Sequence, residues 1–281
     1  MRVEFWKYHG LGNDFVLIED LRGKLSFRPD EIRAICDRRK GVGADGILPV
    51  TKRKGAFHMR VLNSDGSEAE MCGNGIRCVA KHLFDNGLAT KRFDIETRGG
   101  KVGVEVISTK GERSMVRVAM GRPRLERKEI PMAGTGRCID AIINVGGREF
   151  SVTAVSMGNP HAVVFEKMSV DEVRRWGPLF ERHEWFPNHA NAEFVEVLND
   201  REVSVIVHER GCGITQACGT GACASVVAGV LRGKLRVGEP VVVHLLGGDL
   251  EVEVAPDLSQ VWMTGPAERV FKGELTRSLK R

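Results

Sequence analysis

Cys72 and Cys218 sit in two similar strings, MCGNGIRC at 71–78 and ACGTGACA at 217–224, 146 residues apart. Both read Cys-Gly-x-Gly. The same offset carries Gly12-Asn13 onto Gly158-Asn159, each followed by an apolar stretch, and Asn63 onto Glu209, each preceded by one. Further on the match slips, and Gly99-Gly100 answers Gly247-Gly248 at an offset of 148. Glycine is common in this chain, so one coincidence would mean little. Three ordered matches at one spacing indicate a duplicated unit. The chain reads as two copies, 1–118 and 119–264, joined near Gly121-Arg122-Pro123, where Gly and Pro interrupt the pattern.

β-branched and alternating segments predict strands at 15–19, 58–62, 93–97, 102–106 and 114–118. In the second copy they predict strands at 141–145, 149–154, 162–165, 192–198, 202–207, 241–245 and 250–254. Helices are expected at 29–37, 73–86, 171–180 and 219–231. Gly87 and Gly233, just past the central pair, suit helix C-termini. The 219–231 segment (GTGACASVVAGVL) has almost no polar face, so it must be buried all round. Each half then holds many antiparallel strands and one helix of small and apolar residues. The expected fold class is α+β, with two pseudo-symmetric domains, each a barrel-like, mainly antiparallel sheet wrapped around a central helix.

Composition narrows the function classes. The net charge of +5 is modest, and the densest basic run, 52–54, reads as a solvated loop. With one Tyr and 6% aromatic residues, the stacking stripe of a nucleic-acid binder is missing, so no nucleic-acid partner is expected. There is no apolar run long enough to cross a membrane as a helix and no secretory leader, which favours a cytoplasmic protein with no membrane partner. The seven cysteines form no CxxC pair, so neither a disulfide scaffold nor a metal site is expected. Cys36, Cys78, Cys138 and Cys223 read as structural, and Cys212 as part of loop packing.

The chemistry lies at the two repeated cysteines. Each stands directly before a Gly-x-Gly that opens a helix. Glycines let a carboxylate approach the backbone, and a helix N-terminus favours anions and lowers a thiol's pKa. Two such thiols presented to one ligand suit inversion of a stereocentre: a base takes the Cα proton from one face and an acid returns one to the other. No phosphate-cradling loop or cofactor-type lysine stands out, so no cofactor is expected.

These motifs resemble the diaminopimelate epimerase family over nearly the whole chain. The resemblance rests on Tyr8-His9-Gly10-Leu11-Gly12-Asn13-Asp14-Phe15, Gly41-Val42-Gly43-Ala44-Asp45-Gly46, Asn63-Ser64-Asp65-Gly66-Ser67 and Met71-Cys72-Gly73-Asn74-Gly75. The second half adds Met157-Gly158-Asn159-Pro160-His161, Asn191-Ala192-Glu193-Phe194-Val195, Glu209-Arg210-Gly211 and Ala217-Cys218-Gly219-Thr220-Gly221. It ends at Trp262-Met263-Thr264-Gly265-Pro266. The resemblance implies interconversion of LL- and meso-diaminopimelate without a cofactor, a step of lysine biosynthesis, and leaves a cell-wall use of the product open. It also implies that a last strand, 265–281, returns to complete the first domain. Cys218 would be the base and Cys72 the acid from LL to meso, with roles exchanged in reverse. Gly73, Asn74, Gly219 and Thr220 would hold the reacting carboxylate. Asn13, Asn63, Asn159, Asn191, Glu209 and Arg210 would bind the rest of the substrate, and His161 and Glu209 would tune the thiols. Gly46 stands where many members of the family carry Gln, which implies a missing side-chain contact to the distal end of the substrate.

Three other readings stay open on the residues alone. They are a proline-racemase-like isomerase, a thiol redox or metal-binding protein, and a non-catalytic protein of this fold. The partner expected is a small amino-acid substrate, and a homodimer is one oligomeric state the sequence admits.

Overall fold

A computed structural model describes residues 2–276. The chain divides into two compact units, 1–118 with 265–281, and 119–264. Residues 277–281 of the expected returning strand lie outside the described residues.

The first unit runs β1 (Val3–Gly10), β2 (Asn13–Glu19), α1 (Pro29–Cys36), β3 (Gly46–Arg53), β4 (Ala56–Met59), β5 (Val61–Asn63), β6 (Glu68–Ala69), α2 (Gly73–Asp85), β7 (Arg92–Thr97), β8 (Gly100–Lys110) and β9 (Arg113–Gly121). The second runs β10 (Ala141–Val145), β11 (Arg148–Ser156), β12 (Pro160–Val164), α3 (Val170–Glu181), β13 (Asn191–Asn199), β14 (Glu202–Glu209), β15 (Gly213–Ile214), α4 (Gly219–Leu231), β16 (Val241–Leu245) and β17 (Gly248–Val254). The last strand, β18 (Val261–Leu275), pairs with β17 through its first residues and with β1 through its later ones.

In the first unit the pairings return on themselves: β1–β2–β3–β4–β7–β8–β9–β18–β1. A ladder that closes has no open edge and forms a barrel, with α2 as its buried central helix. The second unit repeats the order with β11–β12–β13–β14–β16–β17. Both are mainly antiparallel, and the parallel steps recur at the same places: β2 beside β3 and β4 beside β7, then β12 beside β13 and β14 beside β16.

The central helices begin and end alike. Cys72 and Cys218 are their N-caps. At the other end Gly87 and Gly233 take φ of 66° and 65°. There Gly87 N–H donates to Phe84 O and Leu88 N–H to Leu83 O, matched by Gly233 to Val230 O and Lys234 to Gly229 O. This double bond around a left-handed residue is a Schellman stop, which glycine enters without steric cost.

α4 is buried on every side apart from its ends, as its composition requires. Burying a Val such as Val226 or Val227 is worth about 1.5–3 kcal/mol, so the body of α4 docks by apolar packing. The expectation of a second helix of small and apolar residues fails at α2. Arg77, Lys81 and His82 are all fully buried in it. A buried polar group must find partners, and these do. Arg77 donates to Pro266 O, Gly73 O and Asn74 Oδ1; Lys81 to Asp85 and Ser114; His82 pairs with Glu19.

The expected strand 58–62 is two strands, β4 and β5, which pair with β3 in one register and part at Arg60, whose N–H donates to Pro49 O while Pro49 has no N–H to return the bond. Among the described residues no helix is long and apolar enough to cross a membrane.

Candidate active site

Residues two apart on a strand share a face. On β12, β13 and β14 this places His161, Glu193, Val207 and Glu209 together, since Val163 pairs with Glu193 and Glu193 with Val207. α4 covers that face: a Cβ on Gly221 would lie 2.8 Å from Glu193 Oε1. On the opposite face Ala162, Ala192 and Phe194 join Trp176 and Phe180 in a core under α3.

Cys218 caps α4, its sulfur accepting from Gly221 N–H at 3.4 Å. Gly219 and Thr220 are the first two helical residues, so their amides belong to the exposed helix start. The Thr220 hydroxyl is 3.4 Å from Cys218 Sγ and accepts from Asn159 Nδ2 at 3.3 Å. Asn159 Oδ1 meets His161 Nε2 at 3.0 Å, and His161 Nδ1 meets Glu193 Oε1 at 2.7 Å. Asn191 approaches the same ring nitrogen of His161 and accepts from Arg210 N–H at 2.8 Å. Glu209 accepts from Thr215 Oγ1 at 2.5 Å, and its carboxylate is one of the two whose charge acts on Cys218. Arg210 is exposed, and its guanidinium donates to Asn188 O.

The first unit builds a parallel site. Gly75 N–H donates to Cys72 Sγ at 3.4 Å, and Gly73 and Asn74 open α2. Cys72 Sγ lies 3.8 Å from Asn13 Oδ1, which accepts from Asn74 Nδ2 at 3.1 Å. Asn13 in turn donates to Asp45 at 2.7 Å, and Arg77 holds Asn74 Oδ1 at 2.8 Å. Asn63 turns to the neighbouring loop, donating to Ser67 Oγ at 2.9 Å. Asn13, Gly73 and Asn74 thus gather at Cys72, and Thr220, Asn159 and His161 form a chain from Cys218, whereas the Asn63 side chain turns to Ser67 and the Arg210 guanidinium to Asn188.

Electrostatics corrects one expectation. The helix start should make Cys218 an easily formed thiolate. Instead, burial first, then the carboxylates of Glu209 and Glu193, push its pKa well above that of an ordinary thiol. The bonds from Thr220 and Gly221 pull the other way and are outweighed. Burial likewise raises Glu209, against its bond to Thr215. Both follow from desolvation, which disfavours any charged form. Burial raises Cys36 to about 11 and Cys78 to about 12, as fits inert packed thiols. Cys212 is exposed on the loop after Arg210.

Gly46 has a packing constraint of its own. It lies opposite Asn63 in the β3–β5 ladder, and a Cβ there would meet Leu62 O at 2.6 Å. The position admits no side chain without moving backbone, so Gly46 is a close-approach glycine in this chain.

Sequence reasoning singled out neither Glu193 nor Asp45 nor Arg77. For Glu193 a signal existed. It is a carboxylate within Asn-Ala-Glu-Phe-Val, a segment buried at all five residues, where an unpaired charge would not be tolerated.

Solved structures share this duplicated fold. A probable proline racemase from Agrobacterium radiobacter superposes with a TM-score of 0.69 at 16% identity, over 98% of this chain and 93% of that one. A hydroxyproline epimerase from Agrobacterium vitis gives 0.67 at 16%, over 98% and 91%. A phenazine biosynthesis protein from Bacillus anthracis gives 0.69 at 16%, over 99% and 100%. These likenesses show the fold. Within it, the sequence model of diaminopimelate epimerase matches residues 5–126 and 153–270. The diaminopimelate epimerase of Desulforudis audaxviator is 51% identical over 98% of this chain and all of its own length. That of Pelotomaculum thermopropionicum is 48% identical over 97% and 98%. The chain belongs to the diaminopimelate epimerase family and is an isomerase.

Proposed function

We propose that the enzyme interconverts LL- and meso-diaminopimelate by two-base proton transfer between Cys218 and Cys72, without a cofactor. The observation that carries this reading is the repeated thiol cap: each unit sets a cysteine sulfur on the N–H of the third residue of a buried helix, 3.4 Å away in both. The helix starts at Gly73-Asn74 and Gly219-Thr220 supply amides for the substrate's reacting carboxylate, whose charge grows as the Cα proton leaves.

From LL to meso, Cys218 as thiolate takes the Cα proton and becomes the thiol. Cys72 gives its proton to the opposite face and becomes the thiolate. The reverse reaction starts from that state. The carboxylates that favour a protonated Cys218 therefore stabilise the form left at the end of the LL-to-meso turnover. A substrate ammonium brought near Cys218 would shift it back toward thiolate, since an opposite charge favours ionisation. Arg210, held by Asn188 and Asn191, suits a second carboxylate because its planar fork binds two oxygens. Asn13, Asn63, Asn159 and Asn191 complete recognition, and His161 with Glu209 tunes Cys218. The reaction would serve lysine biosynthesis.

The test is exchange of the α-hydrogen of diaminopimelate with solvent deuterium, with proline and other amino acids as competitors. Exchange confined to diaminopimelate, and epimerisation lost in Cys72→Ala and Cys218→Ala, are expected. Wild-type epimerisation by either variant rejects the reading.

A further inference from the structure

The two units are copies, so each serves as a control for the other. In the first, Phe15 on β2 lies opposite Gly46 on β3; in the second, His161 on β12 lies opposite Asn191 on β13. Two residues further along the second strand of each pair come Leu48 and Glu193. The match is spatial as well. A Cβ on Gly75, third residue of α2, would meet Leu48 Cδ2 at 3.0 Å, and one on Gly221, third residue of α4, would meet Glu193 Oε1 at 2.8 Å. Under the start of one central helix the fold holds Phe15 and Leu48; under the other it holds His161 and Glu193.

All four residues are buried, and His161, Leu48 and Glu193 are fully so. The first unit demonstrates that an apolar pair satisfies this place in the fold. A buried ion pair rarely stabilises more than well-packed apolar residues of similar size. Folding alone therefore gives no reason for the second unit to carry a carboxylate there. Glu193 is also incompletely satisfied: its Oε2 is buried without a hydrogen-bond partner. A fold keeps such a costly group where it serves the site.

We infer that Glu193 is a positioning residue for epimerisation, holding His161 against the Asn159–Thr220–Cys218 side of the site. This rests on the function proposed above. Glu193 Oε1 takes the Nδ1 edge of the ring at 2.7 Å, which leaves Nε2 aimed at Asn159 Oδ1 at 3.0 Å. From there the contacts run through Asn159 Nδ2 and the Thr220 hydroxyl to the Cys218 sulfur. The titratable groups on this face are His161 from β12, Glu193 from β13, Glu209 from β14 and Cys218 at the start of α4. An orienting carboxylate behind a histidine fixes the ring edge that faces the chemistry, as in hydrolase triads.

Two variants test this. Glu193→Gln keeps the size and one hydrogen bond but removes the charge. Its kcat should fall on the order of 10- to 100-fold, the cost of losing an orienting partner behind a functional histidine. KM should stay within about threefold, and the limb of the pH profile governed by Cys218 should move to lower pH as one nearby negative charge is lost. The double variant His161→Phe with Glu193→Leu copies the other unit; it should unfold at a denaturant midpoint equal to or above the wild type's, yet be inactive. Wild-type kcat and pH profile in Glu193→Gln would overturn the inference. So would a loss of activity that merely tracks the fraction of protein unfolded, with the profile of the folded enzyme unmoved. A wild-type enzyme that fails to exchange the α-hydrogen of diaminopimelate would instead reject the proposed function, an outcome read before any Glu193 variant is made.

Discussion

The backbone N–H of Gly221 donates to the sulfur of Cys218, so the same atom caps α4 and stands where the chemistry is proposed. Fold and function can be separated here by choice of substitution. Serine is among the best N-caps and alanine among the poorest, a difference of about 1 kcal/mol. Cys218→Ser should therefore keep a near-wild-type urea midpoint while Cys218→Ala is lowered by about that amount. Both should lose epimerisation. Equal stability of the two variants would mean that the sulfur does not act as a cap.

The raised pKa of Cys218 gives a pH dependence with a definite sign. Burial and the carboxylates of Glu209 and Glu193 disfavour its thiolate. In a Cys72→Ser background, labelling of Cys218 by a small thiol reagent, followed by mass spectrometry, should rise with pH only above the range of an ordinary thiol, about 8.5. Glu209→Gln removes one negative neighbour, so its labelling curve should lie at lower pH. Turnover should slow as well, because Glu209 is one of the carboxylates that set the ionisation of the thiol. An unshifted labelling curve would remove Glu209 from the tuning of Cys218.

Much of this could be read from residues. The 146-residue offset holds structurally, because Cys72 and Cys218 make the same cap and Gly87 and Gly233 the same stop. α4 begins and ends where its composition indicates, since a helix with no polar face has only one way to be buried. β1 and β3 escaped notice because Trp6-Lys7-Tyr8-His9 and Pro49-Val50-Thr51-Lys52 follow no simple alternation and acquire their strand character from barrel closure. The close approach at Gly46 is illegible in the sequence for a related reason. Its constraint comes from Leu62 O on a neighbouring strand, which adjacency in sequence cannot reveal. Glu193 was hidden because its importance appears only beside Leu48, its counterpart in the other copy.

Gly46 leads to a prediction opposite to the one its family position implies. If a substrate contact were missing, Gly46→Gln would restore affinity. With Leu62 O 2.6 Å from any Cβ, the substitution must instead displace β5 and the adjacent Asn63. Overpacking of this kind costs about 1–3 kcal/mol. Gly46→Ala and Gly46→Gln should both lower the denaturation midpoint and raise KM. A Gly46→Gln enzyme of unchanged stability and lower KM would restore the missing-contact reading.

Asp14 connects stability to acid pH. Burial alone would raise its pKa, but hydrogen bonds from Arg38 and Lys7 outweigh that and hold it at about 2. Arg38 lies 2.6 Å away and Lys7 2.5 Å. A carboxylate depressed below its unfolded value of about 3.9 stabilises the fold above that pH, and the contribution is lost as pH falls toward the folded value. Asp14→Asn should therefore be less stable than the wild type at pH 7, and the gap in urea midpoint should shrink from pH 5 to pH 3. A gap independent of pH would show that the effect is one of packing and not of charge.

Glu181, the last residue of α3, ties the Arg210 loop to the core. One carboxylate oxygen accepts from Gly211 N–H at 3.0 Å and the other pairs with His208 Nε2 at 2.9 Å. On the opposite side of the loop Asn191 Oδ1 accepts from Arg210 N–H. The Arg210–Gly211 backbone is thus gripped from two elements, which would hold Arg210 in place for a distal carboxylate in the proposed reaction. Removing a buried acceptor leaves its donors unsatisfied at a cost of about 1–3 kcal/mol. Glu181→Ala should lower stability by that order and raise KM more than it lowers kcat, because the loop would bind less well while the thiols keep their caps. Glu181→Gln retains an acceptor for Gly211 and should recover most of the KM. If Glu181→Ala lowered kcat alone, the loop would belong to the proton transfer itself, and the division of labour between Arg210 and the thiols would have to be redrawn.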